Sequence, residues 1–345
     1  MPRTTRPRLG FFTRVLEEAT AADRFRFAVE QIVAAERAGF DTAWVAQHHF
    51  DRDEGGLPSP FVLLAYAAAY TQQITLGTGI VALPLELAVR VAEDAAVLAR
   101  LSGGRFELGV GTGQPDASFA VFGRDAADQH AAYATQLAHL TQALAGEPLT
   151  AEGPVLYPAA PELRATLWEA TFSAQGATRI GGAGNGLMLS RTQPRTGAQR
   201  SLSDVQRPIV EAYLNALPAK RAPRVLASRT VFATDDRITA RALAERALER
   251  AVPLAERAGI VLPAGLSTAA TLARLDVHVG TPAELVEELA VDEILREASD
   301  IVFQVHPVDP PHELVLRSIQ LIASEVAPTL GWRPSRFAAP ALGSR

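Results

Sequence analysis

The chain has no cysteine and one lysine, Lys220. The first absence excludes disulfides, thiolate nucleophiles and cysteine–zinc sites. The second leaves Schiff-base chemistry a single candidate, set in the proline-flanked segment PAKRAP. No apolar run is long enough to span a bilayer. The nearest, Ile74 to Val89, contains Pro84 and Glu86. Arg3, Arg6 and Arg8 make the N-terminus basic, but the apolar core of a secretory signal does not follow, so a cytoplasmic location is expected. Net charge is −5 over 345 residues, which argues against a nucleic-acid surface.

What is present is the composition of a soluble globular protein, 48% hydrophobic and 21% charged. Short β-branched or aromatic runs lie near 8–13, 42–46, 74–81, 106–110, 166–172, 187–190, 225–233 and 301–305. Helical patterns occupy 22–38, 59–71, 86–100, 129–145, 174–183, 202–216, 236–257 and 311–325. This alternation predicts a parallel sheet, and eight strand–helix units can close it into a (β/α)8 barrel over 1–327. A doubly wound open sheet is the alternative. Three stretches exceed a minimal barrel: a Pro/Glu/Ala-rich segment 146–165, expected as a hairpin or loop; a basic loop 191–200; and an interruption at 258–282. The Pro/Ala/Arg-rich tail 328–345 is expected to be peripheral. Ala88, Ala92, Ala95 and Ala99 place small side chains on one face of the 86–100 helix, and Ala65 and Ala67–Ala69 crowd the 59–71 helix. These two helices are candidates for a homodimer seam; ordinary packing against the sheet is the alternative.

Barrel enzymes carry their chemistry at the C-terminal ends of the strands. The segment WVAQHHF puts His48 and His49 at such an end, after the strand 42–46. Histidine suits proton transfer near neutral pH, although loop histidines are also commonly solvated or satisfied. Adjacent histidines point in different directions and no further ligands cluster with them, so no metal site is expected. The strand ITLGTGIV ends in Thr78-Gly79-Ile80, where glycine lets a flat ligand approach the backbone or simply makes a turn. LSGGRFELGVGTG is neither a dinucleotide fingerprint nor a P-loop, since GxGxxG and GK[ST] are both missing. His130 and Tyr133 share a helical face. Ser173 and Ala174 open a helix, where free N–H groups either take the serine cap or bind a phosphate. Arg191 ends the sixth strand, placed for an anion or a surface ion pair.

In order and spacing, AERAGFDTAWVAQHHF, LGTGIVALP, AEDAAVLARLSGGRFELGVG and FSAQGATRIGGAGNG resemble the bacterial luciferase-like flavin monooxygenases. The resemblance covers most of 8–327 and is strongest over 8–125. It implies a barrel that uses reduced FMN from a separate flavin reductase, together with O2, to oxygenate a small-molecule substrate, with His48 as general acid/base. It also implies a non-proline cis peptide at Gly79–Ile80 and FMN contacts from Thr78, Gly79, Ile80, Thr112, His130, Tyr133, Ser173, Ala174 and Arg191, and it supports a homodimer. Three departures stand out. Gln47 replaces the family's glutamate, and Thr112 and His130 align with luciferase's phosphate-binding arginines. Two other readings remain: an F420-dependent hydride-transfer enzyme on the same barrel, and a non-catalytic flavin-binding subunit, against which His48 argues.

Overall fold

The computed structural model describes residues 6–50, 52–53, 55–194, 201–257 and 260–333. Most of the basic loop (195–200), residues 258–259 and the tail from 334 lie outside the described residues. The short apolar runs become parallel strands: β1 (Arg8–Thr13), β2 (Thr42–Val45), β3 (Thr75–Thr78), β4 (Val81–Ala82), β5 (Phe106–Glu107), β6 (Gly109–Gly111), β7 (Trp168–Ala170), β8 (Gly186–Leu189), β9 (Val225–Ala233), β10 (Val277–Gly280) and β11 (Asp300–Gln304). β3 and β4 are two halves of one stave, as are β5 and β6: Leu76 pairs with Phe106 and Val81 with Val110. From there the ladder runs β6–β7–β8–β9–β11–β1–β2–β3, which returns to its start. The eight predicted strands therefore close into a (β/α)8 barrel.

The helices form where the sequence period and the caps agree. Ala21–Arg37 is an example: the Thr20 side chain accepts from Asp23 N at 3.2 Å, and Ala28, Ile32 and Ala35 are buried on one face. Gly39 then takes φ +86°, a conformation open to glycine without strain. No helix among the described residues is long and apolar enough to cross a membrane.

Two of the extra stretches are more ordered than the sequence suggests. Segment 146–165 forms no hairpin. It turns through a bond from Leu149 N to Pro154 O (2.9 Å) and enters a short helix, Pro161–Thr166. Leu156, Ala160 and Leu163 are buried, so core packing rather than strand pairing holds it. The 258–282 segment contributes the helix Thr268–Arg274 and the strand β10. β9 is long enough to pair with β8 and β11 below and with β10 above, where Thr230 to Ala233 face Val277 to Gly280.

The alanine stripe also reads differently in three dimensions. Ala88, Ala92, Ala95 and Ala99 are all buried against the barrel. Small residues let the helix lie close to its own sheet, so the stripe faces inward. The outward faces of Pro60–Ala68 and Ala88–Leu101, with the turn after the first, carry Val62, Tyr66, Tyr70, Val97 and Leu101, all exposed.

Inside the barrel, side chains stack in layers. Arg8 closes the bottom, bonding Glu107 at 2.7 and 3.0 Å and Asp300 at 2.6 Å, while Trp168 Nε1 donates to Glu107 at 2.6 Å. Above them Trp44 and Trp168 meet edge to face, 6.1 Å apart, beside Met188, Leu226 and Val302. The glycines of this wall make room for those side chains: a Cβ on Gly77 would come within 2.3 Å of Trp44, and one on Gly79 within 2.7 Å of Phe12. The lower barrel is thus filled, and only its mouth is open to a ligand.

Candidate active site at the barrel mouth

The mouth is reached at the C-terminal ends of the strands, two residues above the packed layer. From β2, His48 N donates to Leu57 O at 2.9 Å, and the ring Nε2 lies 3.3 Å from Arg14 Nη2. An arginine only donates, so this bond requires Nε2 to be unprotonated. Arg14 follows Phe12 by two residues on β1 and its extension, which turns both inward. Extending the strand alternation past Thr13 would have flagged Arg14 in the sequence. Val15, next in the chain, holds φ +60°, a strained value for a β-branched residue.

The two histidines separate in role. His49 packs its ring edge-on to Phe122 at 4.9 Å, and its buried Nε2 has no hydrogen-bond partner among the described residues. Burial pushes the His49 pKa down, against the pull of Glu86 and Asp116. Gln47 ties the region together. Its backbone N–H reaches Ile80 O at 3.4 Å, its Oε1 accepts from Ala82 N at 2.8 Å, and its Nε2 donates to Glu86 at 2.7 Å. A glutamate here would set a second carboxylate against Glu86. The amide can donate to Glu86 and accept from Ala82, which gives the departure at this position a physical reason.

The Gly79–Ile80 peptide is cis. Gly79 and Ile80 are partly open to the mouth, with Phe12 and Ala170 partly exposed nearby. Thr112 is half-buried, and its loop is pinned by Gln129 Nε2, which donates to Thr112 O at 3.1 Å and Gly113 O at 2.8 Å. Ser173 caps the helix Ala174–Gly182, accepting from Gly176 N at 3.1 Å, and both Ser173 and Ala174 are exposed.

Four other predicted contacts remain. Thr78 is fully buried, and its hydroxyl both donates to Gly109 O and accepts from Gly109 N at 2.9 Å, so it staples two staves together. Tyr133 is buried and donates to Glu169 at 2.7 Å, in a cluster where Arg179 and Asn185 bond the same carboxylate. Burial first, and then the Glu169 charge, drive the Tyr133 hydroxyl well above its ordinary range. His130 is exposed, so the two residues of this helix do not converge. Arg191 is buried, with Nη1 3.4 Å from Thr230 Oγ1.

These residues fit a flat ring with a phosphate tail. Ile80, Gly79, Phe12 and Ala170 offer a non-polar wall. Exposed N–H groups at the helix start near Ser173 suit a phosphate. His48 and Arg14 supply proton-handling and cationic groups on neighbouring strands.

Comparison with known proteins bears on the family and the fold. The profile of the luciferase-like monooxygenase family matches residues 8–296. The alkanal monooxygenase alpha chain of the Kryptophanaron alfredi symbiont is 42% identical over 92 residues, which is 27% of this chain and 26% of that one. The chain thus aligns with well under two thirds of the length of such curated relatives. The oxygenating constituent of 3,6-diketocamphane monooxygenase from Pseudomonas putida, solved with FMN, superposes with a TM-score of 0.76 at 20% identity, covering 93% of this chain and 98% of that one. The F420-dependent tetrahydromethanopterin reductase of Methanopyrus kandleri gives 0.66 at 18% identity, covering 94% and 100%. At those identities the superpositions speak to the fold. The family profile, spread over most of the barrel, establishes that the chain belongs to the luciferase-like monooxygenase family.

Proposed function

We propose that this protein is a cytoplasmic, FMN-dependent monooxygenase that takes reduced FMN from a separate reductase and uses O2 to oxygenate a small organic substrate. The observation that carries the reading is the placement of His48. Its Nε2 faces Arg14 at the mouth, on the strand joined through Gln47 to the cis Gly79–Ile80 wall. Gly79, Ile80 and Thr112 would border the ring of the cofactor. Ser173 and Ala174 would present the helix start to its phosphate, and Arg191 would lie at its margin. When bound, reduced flavin supplies the electrons and the site of oxygen attachment. The chain's part is to exclude water and to move a proton at His48 Nε2. That nitrogen accepts from Arg14 at rest and is therefore ready to take a proton when Arg14 turns to an anionic group.

Titration of the purified protein with FMN, reduced FMN and F420 under anaerobic conditions tests the cofactor assignment. We expect reduced FMN to bind most tightly. A clear preference for F420 would make this a hydride-transfer enzyme and remove oxygen from the reaction.

The same reading includes a homodimer formed through the outward faces of Pro60–Ala68 and Ala88–Leu101. Val62, Tyr66, Tyr70, Val97 and Leu101 make an exposed apolar surface there, of the kind that marks an interface. Leu101 is 66% exposed at the end of its helix. Replacing Tyr66 with arginine and Leu101 with glutamate should convert a dimer into a folded monomer in light scattering. A wild-type protein that is monomeric at micromolar concentration would exclude the seam.

A further inference from the structure

The eighth stave ends in a histidine outside the motifs that carry the family resemblance. Alternation along β11 turns every second residue into the barrel. Asp300 meets Arg8, Val302 packs in the Trp44–Met188 layer, and Gln304 Nε2 lies 3.5 Å from Ser228 Oγ. His306 follows two residues on, just beyond the end of the strand, and is only 2% exposed. Its carbonyl accepts from Thr230 Oγ1 at 2.9 Å, and its Nδ1 lies 2.5 Å from Asp309 Oδ1. Asp309 takes φ +49° and is ion-paired with Arg250 of the helix Arg237–Arg257. Burial works against the Asp309 carboxylate, but the bonds to His306 and Arg250 outweigh it and hold its pKa low.

An ionised carboxylate can only accept, so it keeps the imidazole proton on Nδ1. In the neutral imidazole Nε2 is then an acceptor. It is buried and has no hydrogen-bond partner among the described residues. Gln304 Oε1, on the same inward face, is also buried and without a partner among the described residues. Two unfilled acceptors on one wall call for a donor, because a buried polar atom left unpaired is costly.

We infer that His306 Nε2 and Gln304 Oε1 form a hydrogen-bond-accepting subsite at the barrel mouth for the O–H or N–H of a neutral substrate, a phenol or an alcohol. The subsite rests on the monooxygenase reading of the same mouth and adds a substrate class to it. Asp309 is a positioning residue that fixes the tautomer of His306. A ketone or an ether, which offers only acceptors, leaves both groups unpaired.

The test uses full-length, FMN-loaded protein labelled with 15N at its seven histidines. The His306 resonances are assigned by loss in a His306→Gln variant. We expect the Nδ1–H tautomer near pH 8, an Nε2 shift on titration with phenol, and none with anisole, the methyl ether of similar shape. Asp309→Asn should relax the tautomer preference and weaken phenol by about tenfold, the worth of one hydrogen bond in a buried site. An Nε2–H tautomer, no response to phenol, or an equal response to anisole in the wild-type protein would overturn the subsite. FMN affinity is read separately by fluorescence. Loss of FMN binding with phenol selectivity intact refutes the cofactor reading and leaves the subsite standing; FMN binding without phenol selectivity does the reverse.

Discussion

Replacing His48 with alanine should lower turnover by about 10²–10⁴-fold, the range for loss of a positioned acid/base, while FMN binding changes little. The separation follows from the geometry. His48 Nε2 faces Arg14, whereas the non-polar wall and the helix start proposed to hold the cofactor come from other strands. A second variant, His49→Ala, serves as the contrast. His49 packs against Phe122, and burial keeps its pKa low, so its loss should act through stability rather than through the proton-transfer step. The measurement is steady-state oxygenation with a supplied reductase, alongside FMN fluorescence quenching for each variant. A fully active His48→Ala enzyme would end the assignment, and equal losses from both variants would point to general disruption of the β2 end.

The largest expected effect on stability comes from a pair far from the chemistry. Asp292→Ala should cost about 3–5 kcal/mol, the range seen when one member of a buried ion pair is removed. Arg229 is 0% exposed in the middle of β9. Its Nε donates to Asp292 at 2.7 Å, its Nη2 to the other carboxylate oxygen at 3.3 Å, and its Nη1 to Ser228 O at 2.8 Å. Asp292 also caps the helix Glu293–Glu297, accepting from Ile294 N at 3.0 Å and Leu295 N at 3.2 Å. Removing the carboxylate leaves a buried guanidinium unpaired and a helix start uncapped. Burial opposes ionisation of Asp292, but the Arg229 charge and these hydrogen bonds prevail and depress its pKa. A carboxyl depressed in the folded state stabilises fully above its unfolded value, about 3.9, and loses that contribution as pH falls through the folded value. The stability gap between wild type and Asp292→Asn in urea melts should therefore be largest near neutral pH and narrow below about pH 4. A gap that stays constant on acidification would show that the pair adds nothing through its charge.

Much of the architecture could be read along the chain because its signals are local. Runs such as Thr42–Val45 and Asp300–Gln304 are apolar over strand length, and capped, periodic helices such as Ala21–Arg37 stand between them. His48 was legible for the same reason: it stands at the end of such a run. Ser173 was legible as a helix cap, and Gly79–Ile80 as the end of a glycine-bearing strand.

What could not be read depends on partners distant in the chain. Tyr133 and His130 look equivalent at helical spacing, yet one finds Glu169 and the other finds solvent. Thr78 resembles an open mouth residue until Gly109, 31 positions away, occupies its hydroxyl. The alanine stripe shows a close-packed face without saying which neighbour it packs on. Arg229 lies within the 225–233 run, and nothing local in the sequence shows that Asp292 pairs with it. His306 acquires its orientation only when the chain turns and Asp309 comes back against it. The sequence by itself determined the order and type of the eight strand–helix units, through residue periodicity and capping. The tertiary structure decided which polar side chains are spent on holding the barrel and which are left with an unfilled atom at its mouth, because hydrogen bonding and burial depend on contacts between strands that the linear order does not contain.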